Sequence, residues 1–85
     1  MAEWLVNCLV TRTGPPLDGD RTLIALSDRN GAFADRWFNA APAVRAQVRA
    51  TALTAMNIGW RVEALVDDGA AEYSTLYTLQ VALPG

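Results

Sequence analysis

The sequence predicts a mainly β fold with a single helix. Three observations carry this. Short runs alternate apolar and polar residues, clusters of Gly, Pro, Asn and Asp separate them, and one longer stretch has a helix start signal at Pro42 and a stop signal at Gly59.

Residues 4–12, WLVNCLVTR, are expected to form the first strand. Trp4, Val6, Cys8 and Val10 fall on one wholly apolar face, which should point into the core. GPPLDGD (14–20) is a loop by composition. Residues 21–27 and 32–38 read as a hairpin around Asp28-Arg29-Asn30-Gly31, where Asn-Gly reaches positive φ at little cost. In the second arm Phe33 and Trp37 share a face. A helix is expected over 41–58, with Asn39 as its cap, Pro42 in its first turn and Gly59 just past its end. Then Trp60, Val62, Ala64 and Val66 point inward while Arg61 and Glu63 point outward. Asp67-Asp68-Gly69 turns the chain. Over the last strand, 73–83, Tyr73, Thr75, Tyr77, Leu79 and Val81 share a face. On this reading Trp4, Trp60, Tyr73 and Tyr77 supply most of the core bulk.

The order is strand, strand, strand, helix, strand, strand, with no repeat or linker, so residues 1–85 are expected to form one domain. It is the order of a five-stranded OB-like Greek-key barrel, whose closure removes exposed strand edges.

Residues 50–81, ATALTAMNIGWRVEALVDDGAAEYSTLYTLQV, carry a closer resemblance. An alanine-rich helix ends at Gly59, a short strand and an acidic turn follow, and an aromatic, β-branched strand comes last. This is similar to the C-terminal half of the OB-type B-subunit-like family, small domains related to the receptor-binding pentamers of AB-type bacterial toxins. The resemblance implies a homo-oligomeric ring of the pentameric kind. It carries over no glycan-contacting residue by position.

Composition also favours self-association. At 85 residues the hydrophobic core is small, and such chains often gain support from disulfides, metals or oligomerisation. Cys8 is the single cysteine, so no intrachain disulfide forms. Histidine is absent, which removes the commonest transition-metal ligand. Alanine accounts for 15 residues, so large apolar side chains are fewer than the 52% hydrophobic content suggests.

The net charge of −2, with arginine as the only basic residue type, argues against a phosphate-binding surface. The apolar stretch from Trp4 to Val10 contains Asn7, is too short to span a bilayer and lacks a basic flank before it. The expected location is cytoplasmic, with an exported mature chain lacking its leader as the alternative.

Catalytic signatures fail one by one. Without histidine the usual base for a Ser or Cys nucleophile is missing, and Cys8 lies mid-strand on an apolar face, which suits a structural thiol. Asp18/Asp20 and Asp67/Asp68 sit beside glycines and read as turn formers. Arg29 stands where a calcium loop opening at Asp18 would need its glutamate. No enzymatic activity, cofactor or metal is expected.

The helix speaks most directly to function. At about 100° per residue, Val44, Val48, Ala52, Ala55 and Ile58 form the stripe expected to pack on the barrel. The opposite side holds Ala46, Ala50, Leu53 and Asn57, with Arg45, Arg49 and Met56 between the two. Solvent-facing helix sides are normally charged. Arg45, Ala46, Arg49, Ala50, Leu53 and Asn57 are therefore expected to form an oligomer interface, the arginines pairing across it. The plainer explanation is an alanine-rich solvent face.

The sequence thus points to a non-enzymatic binding and assembly module: a ring presenting a site to a glycan or a partner protein. The alternative is an OB-type single-stranded nucleic-acid binder. Arg12, Arg21, Arg29, Arg36 and Trp37 support it; Glu3, Asp18, Asp20, Asp28 and Asp35 in the same region oppose it.

Overall fold

The computed structural model describes residues 2–14 and 22–82. Its elements are β1 (Glu3–Gly14), β2 (Leu23–Asp28), β3 (Arg36–Ala40), a 3-10 turn (Pro42–Val44), α1 (Arg45–Ile58), β4 (Val62–Val66) and β5 (Ser74–Val81). The predicted order stands. The strands close into a ring-like sheet in the order β1-β2-β3-β5-β4, β4 returning to β1. All pairs are antiparallel except β3 with β5, which run parallel in the register Phe38 to Ser74 and Ala40 to Leu76. This is the OB-like arrangement.

Two interruptions in alternation decide which side chains are inside. In β1 the pairing with β4 shifts between Leu5 and Cys8, and Asn7 takes a left-handed φ of 62°. A bulge of this kind reverses the facing of everything before it. Leu5, Cys8 and Val10 therefore pack inward, whereas Trp4 and Val6, expected inside, are 49% and 58% exposed. In β5 the register with β4 shifts so that Leu65 faces Thr78 and Val66 faces Leu76. Tyr77 is the extra residue. Leu76 and Leu79 are buried, and Tyr77 and Tyr73, also expected inside, are exposed.

The second arm of the hairpin starts later than the sequence suggests. Asp35 has a φ of 49° and breaks the expected strand, so β3 begins at Arg36. Phe38 then points into the core with no exposure, while Phe33 packs against the core edge. Trp37 points outward. A Cβ placed on Gly14 would lie 3.3 Å from the indole Cζ3, so the ring covers the outer side of β1 and β2.

The helix ends as predicted, with Gly59 left-handed (φ 72°) and donating its N–H to the Ala55 carbonyl. Its start differs. Asn39 is not a cap: it belongs to β3, paired with Leu23 and Thr75, and the first turn from Pro42 is a 3-10 helix without a side-chain cap. Val48, Ala52 and Ala55 are buried and Val44 packs beside them, but Ile58, in the last turn, is half-exposed.

The core is aliphatic around a single aromatic ring: Phe38, Ile24, Leu26, Leu76, Val48, Val62 and Val66 are its largest fully buried members. Trp60 is half-buried and Val62, Ala64 and Val66 alternate inward as expected. Residues 15–21, with Asp18 and Asp20, lie outside the described residues.

Candidate functional site

Among the described residues, three surfaces carry side chains that packing does not explain. The first is the outward side of α1. Ala46, Arg49, Ala50, Leu53 and Asn57 are exposed together there, and Arg45 is half-buried at its margin. The helix contains no acidic residue, so neither arginine has a carboxylate one turn away. The Arg45 Nε is enclosed with no acceptor in contact among the described residues. Leu53 is 48% exposed and Met56 lies beside it.

The second surface, absent from the sequence reading, is a groove of about 400 Å³ between the other flank of α1 and β5. Gln47, Ala50, Thr51 and Thr54 form one wall, and Leu79, Gln80 and Val81 the other. Its lining is uncharged. Gln80 is held in place by donating from Nε2 to Glu63 Oε1 at 2.7 Å. The available sequence signal was the Gln47, Thr51, Thr54 set, which is polar on a side of the helix adjoining the buried stripe.

The third surface is the outer face of β1, β4 and β5. Trp4 pairs with Leu65, which pairs with Thr78, and Val6 and Tyr77 lie beside this row. The bulges bring Trp4, Val6 and Tyr77 outside, which is why a strict period of two misplaced them. The face adjoins the acidic turn between β4 and β5. Tyr77 donates its hydroxyl to Asp67 Oδ1 at 3.3 Å. Its pKa is raised by desolvation and then by the Asp67 charge and hydrogen bond, all of which favour the neutral phenol.

That turn is tightly organised. The Gly69 N–H donates to Glu3 Oε1 at 2.7 Å, and its carbonyl accepts from the Arg36 guanidinium. Asp68 N donates to Ser74 Oγ at 2.7 Å and Ala70 N to Asp68 Oδ1 at 2.9 Å. Arg36 also stacks 4.6 Å from the Phe33 ring centroid.

The remaining candidates are less concentrated. Arg12 and Trp37 both flank Ala25 across the outer side of β1, β2 and β3. Asp35 reaches the same side, accepting from the Thr11 hydroxyl at 2.6 Å. Cys8 is a free, buried thiol, its pKa pushed up to about 11 by burial and then by Asp28. Among the described residues no group of three or more Cys, Asp or Glu side chains is placed to hold a metal ion. No helix among them is long and apolar enough to cross a membrane. Compared with known proteins, the chain matches no family model and no curated relative.

Proposed function

We propose that the chain is a non-enzymatic binding and assembly module that forms a homo-oligomeric ring, of the pentameric kind, and presents one weak ligand site per subunit. The observation that carries this is the outward side of α1, where Leu53 and Met56 stand exposed among alanines and arginines with no acidic residue in the helix. Such a face on so small a chain gains by being covered. The likeness of residues 50–81 to B-subunit-like domains supports the same reading.

The ligand site on this reading is the groove between α1 and β5. Its amides and hydroxyls, Gln47, Thr51, Thr54 and Gln80, suit an uncharged hydrogen-bonding ligand such as a glycan. Repetition around a ring converts weak single sites into useful avidity.

Size-exclusion chromatography with light scattering tests the assembly. A ring-sized species supports it; a monomer at all concentrations overturns it. Arg12 and Trp37 flanking Ala25 favour a second reading, a single-stranded nucleic-acid binder. That reading requires binding to a DNA oligonucleotide that weakens steeply as salt rises.

A further inference from the structure

Two apolar surfaces among the described residues carry opposite charge. On α1, Arg45, Arg49, Leu53 and Met56 fall within a narrow sector when successive residues turn by about 100°. This stripe is cationic and apolar, and it lies on the flank away from the groove with β5. The outer face of β1, β4 and β5 offers Trp4, Val6 and Tyr77, bordered by Asp67 and Asp68. Around that turn four carboxylates (Glu3, Asp67, Asp68 and Glu72) stand against one guanidinium, that of Arg36.

Leu53 and Met56 are exposed, and so are Trp4, Val6 and Tyr77. The stripe of one chain therefore does not cover its own aromatic face; a second copy can.

We propose that copies of this chain meet head to tail, the Arg45–Arg49–Leu53–Met56 stripe of one seating on the Trp4–Val6–Tyr77 face and Asp67 of the next. This rests on the ring reading and gives it a specific contact. Charge complementarity selects it over the self-paired alternatives. Two stripes back to back place arginine against arginine, and two aromatic faces back to back place Asp67 against Asp67. A contact between two different surfaces leaves each copy with one of each unused. It propagates until the ring closes.

Leu53→Glu and Trp4→Glu test the contact, because both residues are about half-exposed and neither belongs to the core. Circular dichroism melts establish that both variants fold. Masses are then read by sedimentation, well above the concentration at which the natural chain assembles. Each variant alone should lose the ring and run as one chain. Mixed in equal amounts they should give a species of two chains and nothing larger, because the mixture contains one intact stripe and one intact face. If the natural chain assembles and only one variant disrupts it, the contact is self-paired and the head-to-tail proposal is overturned while the ring stands. Two disrupted variants that form no two-chain species overturn it equally. A natural chain that never assembles removes the ring reading itself.

Discussion

Glu3 and Arg36, from β1 and β3, hold the two sides of a single residue: the Glu3 carboxylate accepts the Gly69 N–H, and the Arg36 guanidinium donates to the Gly69 carbonyl. Gly69 is buried, and a Cβ there would run into both Glu3 and Leu5. The turn is thereby tied to the rim of the sheet from two directions. Glu3→Ala should leave the Gly69 N–H without its acceptor and cost about 1–2 kcal/mol. For a domain of this size that lowers the Tm by roughly 4–8 °C per kcal/mol. Glu3→Gln keeps an acceptor and should lose less. Equal losses in thermal melts would show that charge, not the hydrogen bond, is what the site uses.

The two sides of α1 should respond oppositely to an added carboxylate. Val48 is 1% exposed, so Val48→Asp buries an unpaired charge and should cost about 4 kcal/mol or more, unfolding the subunit. Ala46 is exposed on the side of Arg49 and Leu53, and Ala46→Glu should leave the melting curve of the subunit intact while abolishing assembly. An unchanged solution mass for Ala46→Glu would remove that side of the helix from the interface.

Phe38 and Trp37 are neighbours in sequence with different duties. Phe38 is fully buried, so Phe38→Ala should cost about 3–5 kcal/mol in chemical denaturation. Trp37→Ala exposes only the outer side near Gly14 and should cost distinctly less. If the order reverses, the assignment of the core face of β3 is wrong.

Cys8 should be a reporter of folding. Its pKa is raised from 9.0 to about 11, so the folded state holds the thiol proton more tightly than the unfolded chain does. The associated stability is complete well below pH 9 and is lost as pH climbs toward about 11, by roughly 2 kcal/mol at the end of that window. Denaturant melts between pH 8 and 10.5 should slope downward for the natural chain and more weakly for Cys8→Ala. Parallel slopes would mean that other groups, Tyr77 among them, set the alkaline limit.

What the sequence revealed depends on where its local rules hold. Pro42, Gly59 and the Asn30-Gly31 turn act through backbone preferences that need no partner, and the element order followed from them. β4 alternates without interruption, so Val62, Ala64 and Val66 were assigned inward directly. β1 and β5 each contain an extra residue, Asn7 and Tyr77, whose presence depends on the register of a distant strand. Counting by twos from Cys8 therefore placed Trp4 and Val6 inside. The outward side of α1 was legible because a helix keeps its period through 14 residues. The groove was not, because half of it comes from β5, and nothing local joins Thr51 to Gln80.

The left-handed residue at Asn7 acts as a parity switch within a strand. Leu5 and Cys8 both face inward although they are three residues apart. Straightening the strand at Asn7 without changing its length would drive an indole into the space that the Leu5 side chain fills and turn Leu5 to the outside. Removing one residue between Leu5 and Cys8 would instead put the two in phase, and simple alternation would keep Leu5 inward and Trp4 outward. The extra residue and its left-handed backbone are thus a single requirement. A β-branched replacement of Asn7, which disfavours that backbone, should therefore be tolerated less well than loss of the residue.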